Sequence, residues 1–187
     1  YGQVSEIKKI SKICRKKKIF LIEDCAEAFG CYYGKKHLGI FGDISTFSFH
    51  PVKQITTGEG GMIVTDDDEI ARKCRMYMNQ GRDTMSQWLE HVVLGYNYRM
   101  SEIQAALGVV QIKRLNEILA KREQAAKFYC DAFKDSPWLQ TQTIKPGVEM
   151  SWFVFVVTLN EGLNRDIAIK KLQERNIGAR AYFTPIH

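Results

Sequence analysis

The stretch Phe47-Ser-Phe-His-Pro-Val-Lys-Gln-Ile-Thr-Thr-Gly-Glu-Gly-Gly61 places one lysine, Lys53, between two apolar segments. The residues before it predict a strand over 44–49, and the residues after it predict the next strand over 61–65. Lys53 would then lie on a loop between core strands, where rigid scaffolds often present functional side chains. A partly desolvated lysine becomes an amine nucleophile. From spacing alone, a surface lysine paired with Glu59 is an equally good interpretation.

A carboxylate follows another short apolar run. Ile19-Phe-Leu-Ile22 predicts a buried strand, with Asp24 just beyond its end. Ligands of open α/β sheets bind beyond the carboxyl ends of strands, so Asp24 and Lys53 would share one crevice if their strands are parallel. A cofactor with an aldehyde and a basic ring nitrogen would use both, the lysine as an imine and the aspartate as the partner of the protonated nitrogen. A salt bridge between Asp24 and Lys53 without a cofactor is the alternative.

Several motifs, in order along nearly the whole chain, resemble a known family. They are Leu21-Ile-Glu-Asp-Cys-Ala-Glu-Ala28, Gly39-Ile-Phe-Gly-Asp43, the stretch around Lys53, Gly95-Tyr-Asn-Tyr-Arg-Met-Ser-Glu-Ile-Gln-Ala-Ala106 and Tyr182-Phe-Thr-Pro-Ile-His187. They are similar to the DegT/DnrJ/StrS-type sugar aminotransferases, which are pyridoxal-phosphate (PLP) enzymes with the aspartate aminotransferase fold, fold type I. Members of that family are longer at both ends, so we expect this chain to be an internal fragment.

The resemblance implies a three-layer α/β fold that is only partly present. Residues 1–134 would form part of the large PLP-binding domain, including the long linking helix. Residues 135–187 would form the start of the small C-terminal α/β domain. The family's phosphate loop and its ring-stacking aromatic residue lie upstream of this chain, so the fragment alone is expected to bind cofactor poorly.

The resemblance also implies roles for individual residues. Lys53 matches the Schiff-base lysine, and Asp24 matches the partner of the pyridine nitrogen. Ser48 matches a phosphate-contacting serine, with a serine bonded only to backbone as the alternative. Glu27 stands where relatives usually have glutamine or histidine packed against the cofactor ring, which departs from the family pattern.

A further pair of residues is implied to act across a dimer interface. Asn97 resembles the asparagine that reaches the phosphate of the neighbouring subunit, and Arg99 competes for that role. Capping of the helix that follows is the alternative for both side chains. The resemblance therefore implies a homodimer with shared active sites.

The implied reaction is transfer of an amino group from an amino acid, expected to be glutamate, to a nucleotide-linked keto-sugar. PLP would be the cofactor and pyridoxamine phosphate the intermediate, with Lys53 moving the proton in both halves of the reaction. Family members that are sugar dehydratases carry histidine in place of this lysine, so Lys53 argues against that activity. A regulatory or catalytically degenerate protein and an α/β binding module without cofactor are two further interpretations of the same sequence.

Composition excludes several classes of function. The chain has 187 residues, of which 45% are hydrophobic, and its five cysteines and four histidines form no metal-ligand spacing. We therefore predict no metal site, and reduced thiols typical of a cytoplasmic protein. The net charge is +6, and the basic residues of segment 8–18 recur as the polar face of a helix rather than as a nucleic-acid site. No apolar run approaches the ~20 residues of a membrane span.

The rest of the chain gives coarser predictions. Residues 4–17 predict a helix that buries Val4, Ile7, Ile10 and Ile13 or Cys14. Asp66–Glu69 predict the start of a second helix that Gly81 ends, and residues 82–97, including Trp88, predict a loop. Ser101 and Gln104 predict a capping box before one long helix to about residue 134. Its inward residues would be Ile103, Leu107, Val110, Leu115, Ile118, Ala125 and Phe128. A strand over 152–158 and a helix over 164–175 complete the prediction.

Overall fold

The computed structural model describes residues 1–83 and 90–182. Trp88 and residues 183–187 of the last motif lie outside this part of the chain. The helices are α1 (Ile7–Lys17), α2 (Asp68–Met78), α3 (Glu102–Lys113), α4 (Leu115–Phe133) and α5 (Arg165–Gln173). The strands are β1 (Ile22–Asp24), β2 (Tyr32–Tyr33), β3 (Lys36–His37), β4 (Ile44–Ser48), β5 (Gly61–Val64), β6 (Leu139–Thr141), β7 (Val148–Glu149) and β8 (Val157–Leu159). Within the described ranges, no helix combines the length and the apolar character that crossing a membrane requires.

One three-stranded sheet positions the lysine loop. Its strand order is β1-β4-β5, with β1 parallel to β4 and β4 antiparallel to β5. Asp24 lies opposite Thr46, and Ser48 lies opposite Gly61. The two strands predicted to flank the lysine loop are therefore confirmed, and so is the parallel arrangement that a shared crevice requires.

The prediction of a buried strand over residues 19–22 is wrong in position and in burial. The strand begins at Ile22 and ends at Asp24 itself. Ile19 and Phe20 are 58% and 77% exposed. An apolar run indicates which side chains favour burial, but it does not say whether another element of the described chain covers them. In the described residues β1 pairs with β4 alone.

A buried carboxylate fixes the loop beside β1. Glu23 is 6% exposed, and its carboxylate accepts hydrogen bonds from the backbone N–H groups of Gly39, Phe41 and Gly42 at 3.2, 2.6 and 2.7 Å. A buried carboxylate is stable only when such donors compensate its lost hydration. The alternation of strand side chains puts Asp24 on the opposite side, where it is exposed.

The core of the same sheet is aromatic. The Phe29 ring meets the Phe47 and Phe49 rings edge to face, with centroids 5.5 and 5.8 Å apart. The β2–β3 hairpin lies within residues 25–42 and packs His37 against this cluster. Strands of two residues leave no alternation in the sequence, so the pattern could not reveal the hairpin.

Helix α1 buries a face different from the predicted one. Val4 and Ile7 are buried as expected, but Ile10 and Ile13 are 37% and 59% exposed. Ser11 is buried instead, and its hydroxyl compensates the lost hydration by donating to the Phe41 carbonyl at 3.0 Å. The basic residues of the helix are exposed, as its amphipathic pattern predicts.

Helix α2 begins as predicted and ends slightly earlier. The Asp67 carboxylate accepts from the Ile70 N–H at 2.9 Å, which makes Asp67 the N-cap. The helix ends at Met78, and Gly81 follows with φ +78°. A Cβ at Gly81 would lie 1.7 Å from the Val93 carbonyl oxygen. Only glycine allows the two backbones this approach.

The capping box before α3 is confirmed, with Ser101 and Gln104 bonded reciprocally. The single long helix is wrong, because Arg114 separates α3 from α4. Leu115 and Ile118 pack against the core as predicted. Ile103, Leu107, Val110 and Phe128 are 85%, 42%, 52% and 69% exposed, and Ala126 rather than Ala125 is buried. Apolar residues cover several faces of α3, so its pattern does not select one.

The structure forms two compact units. One consists of Tyr1–Ala125 with Ile144–Val154, and the other of Ala126–Thr143 with the chain from Phe155 onward. The second unit contains the antiparallel pair β6–β8 and the helix α5, whose N-cap is Asn164. This division differs from the predicted domain boundary after residue 134, and the assignment of the units to domains of a longer protein stays a prediction.

The strand predicted over 152–158 is mostly wrong, because β8 begins at Val157.

Candidate active site

Lys53 lies in the loop between β4 and β5, and its side chain is only 14% exposed. Its Nζ atom is 3.8 Å from Glu27 Oε1 and 4.2 Å from the centroid of the Phe153 ring. Glu59 instead faces His50 Nε2 at 3.8 Å. The two ion pairs that spacing suggested for Lys53 are therefore wrong for the described residues, since it pairs with neither Glu59 nor Asp24 there.

Asp24 ends β1 beside the strand that leads to Lys53. Its Oδ1 atom accepts the backbone N–H of Ala26 at 3.0 Å. This bond orients the carboxylate while the side chain stays exposed. Asp24 is thus a preoriented anion at the carboxyl end of a parallel strand, the edge at which open α/β sheets bind ligands.

Ser48 ends β4 and is half-buried. Its hydroxyl oxygen accepts the backbone N–H of His50 at 3.3 Å. The hydroxyl proton can still be donated to an anion, because a serine hydroxyl is both donor and acceptor. The structure therefore shows the backbone contact, and the Ser48 hydroxyl can still donate a second hydrogen bond to a ligand.

Glu27 is held near Lys53 by a buried polar chain. Gln54, which is 2% exposed, donates from Nε2 to the Glu27 carbonyl at 2.8 Å and to Ser151 Oγ at 2.7 Å. Ser151 Oγ lies 3.1 Å from Cys31 Sγ. Burial raises the pKa of the Cys31 thiol, and hydrogen bonds from Ser151 oppose that rise. These contacts fix the backbone on both sides of the Lys53–Glu27 pair.

Sequence reasoning missed the residues that surround Lys53 from the distant segment 150–154. Phe153 covers the lysine Nζ atom, but its sequence context indicated only a strand. The Arg122 guanidinium bonds the carbonyls of Lys53, Trp152 and Phe153. No spacing rule links residue 53 to residues 122 and 153, so only the folded chain could identify them.

Asn97 and Arg99 lie on another part of the structure. Asn97 forms an isolated backbone bridge with Asn79, and Arg99 Nη1 donates to Asn79 Oδ1 at 2.9 Å. Neither side chain caps α3, because Ser101 and Gln104 do so. Both residues are exposed, and in the described chain no contact joins them to Lys53 or Asp24. The structure thus brings together Lys53 and Glu27 and places Asp24 and Ser48 on adjoining strands. Asn97 and Arg99 lie apart from these residues.

The sequence matches one protein family along its whole length. The model of the DegT/DnrJ/EryC1/StrS aminotransferase family matches residues 1–187. The chain is 40% identical over 193 residues to GDP-perosamine synthase of Caulobacter vibrioides, covering 100% of this chain and 51% of that protein. The chain spans about half the length of the curated relatives it matches.

Solved structures extend the similarity to the fold. An aminotransferase of Helicobacter pylori, PseC, involved in the biosynthesis of pseudoaminic acid, superposes with a TM-score of 0.91 at 31% identity. The match covers 99% of this chain and 51% of PseC. GDP-4-keto-6-deoxy-D-mannose-3-dehydratase of E. coli, solved with bound hydrated PLP, gives 0.86 at 31% identity over 96% of this chain and 50% of that one.

These matches confirm the predicted fold class: the chain is a partial α/β structure of fold type I. The family model covers every residue, and the lysine loop and the parallel β1–β4 pair lie within it. The chain belongs to the DegT/DnrJ/EryC1/StrS aminotransferase family.

Proposed function

We propose that the full-length protein is a PLP-dependent aminotransferase that moves an amino group from an amino acid, glutamate, to a nucleotide-linked keto-sugar. The observation that carries the proposal is the shielded Lys53 amine on the loop after β4, beside a parallel strand that ends in Asp24. Relatives that include a GDP-perosamine synthase and an aminotransferase of pseudoaminic acid biosynthesis support the substrate class.

The donor set fits PLP. Lys53 supplies a shielded amine for the aldehyde, and Asp24 supplies an oriented, exposed carboxylate for the ring nitrogen. Ser48, at the end of β4, would supply a hydroxyl for the phosphate, and Asn97 or Arg99 of a second subunit would add polar donors. When bound, PLP supplies the electron sink that stabilises negative charge at the substrate's α carbon.

The chain's own residues then bind, orient and move protons. The Lys53 Nζ atom would hold the cofactor aldehyde covalently and, once released by the amino donor, carry a proton to and from the substrate. Asp24 would keep the proton on the ring nitrogen, because a nearby carboxylate favours the charged form of a base. Glu27, 3.8 Å from Lys53 Nζ, would hold the released amino group near the site.

A dehydratase is the competing activity, because the similar E. coli protein is a 3-dehydratase. Lys53 favours transamination, since the dehydratases of this family are expected to carry histidine at this position. A catalytically degenerate protein is less well supported, because the Lys53 amine is shielded and the Asp24 carboxylate is held by the Ala26 N–H.

Borohydride reduction of the PLP-loaded full-length protein, followed by peptide mapping, tests the attachment. We expect a stable adduct on Lys53, loss of the visible absorbance band, and neither change in Lys53→Ala. Lys35→Ala and Lys36→Ala are matched controls that should keep the adduct. An adduct on Lys35, Lys36 or another lysine would refute the assignment. A screen of nucleotide keto-sugars with glutamate then tests the substrate class.

A further inference from the structure

The guanidinium group of Arg122 holds two separate segments of the candidate site. Nη1 donates to the Trp152 carbonyl at 2.8 Å and to the Phe153 carbonyl at 3.3 Å, and Nη2 donates to the Lys53 carbonyl at 3.2 Å. Arg122 belongs to α4, so one side chain joins that helix to the lysine loop and to segment 150–154. A planar guanidinium suits this task because its donors point in fixed directions.

This arrangement is costly for the folded protein. Burial alone lowers the pKa of Arg122, and no carboxylate of the described residues forms a salt bridge with its guanidinium. A partly buried cation compensated only by backbone carbonyls loses hydration without gaining a counter-ion. An apolar residue would anchor α4 at lower cost, so the three carbonyl bonds point to a role in positioning.

Segment 150–154 is strained where Arg122 holds it. Trp152 has φ +48°, a left-handed conformation that is unfavourable for a bulky residue. Trp152 is 5% exposed, and its indole Nε1 donates to the Glu123 carboxylate. Strain of this kind persists only where surrounding contacts over-determine the backbone. Two successive residues of α4 therefore hold both the carbonyl and the side chain of Trp152.

The consequence of this strained turn is the placement of Phe153. Its ring lies 4.2 Å from the Lys53 Nζ atom, within the range of a cation–π contact. Arg122 also bonds the carbonyl of Lys53 itself. The backbone of the lysine and the backbone of the ring that covers it are thus fixed by the same guanidinium.

We propose that Arg122 is the positioning residue of Lys53, which it holds directly through the Lys53 carbonyl and indirectly by aiming the Phe153 ring at the lysine amino group. The inference rests on the proposed role of Lys53 as the reactive amine. Arg122 touches the lysine only through its backbone and is not itself a catalytic residue.

Competitive labelling of the cofactor-free full-length protein with an acylating reagent tests the positioning. Peptide mass spectrometry would compare the labelling rate of Lys53 with that of exposed Lys113 in the same sample. In the wild type we expect slow labelling of Lys53. Arg122→Lys keeps the charge but cannot reach three carbonyls, so its Lys53 labelling should rise by about tenfold, the scale of a lost cation–π contact.

Control variants distinguish positioning from general loosening. Arg114→Lys alters an exposed arginine bonded to Glu117 just before α4 and should leave Lys53 labelling unchanged. Phe153→Leu should raise the labelling without altering the Arg122 side chain. Because Arg122 acts partly through Phe153, the double variant should show less than the product of the two single effects. An unchanged Lys53 rate in Arg122→Lys, or independent effects in the double variant, would overturn the proposal.

A second measurement uses the PLP-loaded protein. Arg122 contacts no substrate in the proposal, so Arg122→Lys should lower kcat while KM for the keto-sugar stays near the wild-type value. A rise in KM with unchanged kcat would contradict it. If PLP does not bind Lys53 in the wild type, the proposed function is refuted instead. The labelling experiment uses cofactor-free protein, so its result tests the role of Arg122 independently.

Discussion

Asp24 provides the most direct test of the site at the scale of a single residue. Asp24→Asn should fold normally, because the asparagine oxygen can still accept the Ala26 N–H. A charge pair at ~4 Å is worth ~4 kcal/mol at an effective dielectric of ~20. We therefore expect kcat/KM for transamination to fall by about 10²–10³-fold, at tenfold per ~1.4 kcal/mol. Turnover near the wild-type rate would exclude the proposed role of Asp24.

Two buried cysteines give a prediction about pH. Cys25 is 3% exposed, and burial together with the nearby Glu23 and Asp24 raises the pKa of its thiol to about 12. The thiolate is the reactive form, so a thiol reagent at pH 8 should modify half-buried Cys14, Cys74 and Cys130 well before Cys25 and Cys31. In denaturant all five should react, as peptide mapping would show.

The same thiol affects stability at high pH. Its folded pKa lies above the unfolded value near 9, so the folded state retains the proton longer. The free energy of unfolding should therefore fall as pH rises from about 9 towards 12, and a Cys25→Ala variant should lose less over that range. Rapid labelling of Cys25 at pH 8 would contradict both statements.

Single residues also show how far prediction from sequence reaches. The parallel strands expected to bring Lys53 and Asp24 to one edge are confirmed as β1 and β4, while the roles of both residues stay predictions. Glu27, Phe153 and Arg122 enter the site by tertiary contacts, and only Glu27 was indicated in advance, through a family motif. At Ser11 the prediction fails, because the helix pattern favoured burial of Ile10 and Ile13 and the structure buries Ser11 instead.

At the scale of the element, the start of α3 gives a stability prediction. Ser101→Ala removes the hydroxyl that accepts the Gln104 N–H, so the free energy of unfolding should fall by about 1 kcal/mol. Ser101→Thr keeps an acceptor and is the matched control. Urea denaturation of the full-length protein measures both, and equal midpoints for wild type and Ser101→Ala would refute the contribution of the cap.

Elements with local signals were predictable, and elements that depend on distant contacts were not. The N-cap Asp67 and the capping box of α3 follow from residues within four positions of each other. The β2–β3 hairpin is too short to show a pattern, and β2 also pairs with β7, more than 100 residues away along the chain. The left-handed turn at Trp152 is held by α4, which no local rule could anticipate.

At the scale of the whole molecule, we propose a homodimer whose sites combine residues of two subunits. Asn97 and Arg99 are exposed and have no contact with Lys53 in the described chain. The neighbouring helix α3 presents Ile103, Val109 and Ile112 at 85%, 53% and 52% exposure. These exposed apolar side chains lie on more than one side of α3, and in the proposed dimer a second subunit would cover part of them. Two-fold symmetry would then give each site Lys53 and Asp24 from one subunit and Asn97 or Arg99 from the other.

Mixing of variants tests this arrangement. Lys53→Ala subunits and Asn97→Ala/Arg99→Ala subunits should each be nearly inactive alone. A mixed dimer should recover one intact site, which corresponds to about a quarter of the wild-type activity after random exchange of equal amounts. A monomer with full turnover, or mixed dimers that recover no activity, would rule the shared site out.

The three hydrogen bonds to Glu23 have a consequence for how β1 aligns with β4. Glu23 and Asp24 carry the same charge and differ by one methylene group, so the strand could misalign by one residue with little change in local preference. Such a slip would reverse the direction of every side chain in the strand, turning Asp24 inward and Glu23 towards the crevice. The N–H groups of Gly39, Phe41 and Gly42 accommodate a carboxylate only at the reach of Glu23. They therefore disfavour the misaligned sheet. The direction of the Asp24 side chain thus depends on Glu23, whose own carboxylate lies outside the candidate site.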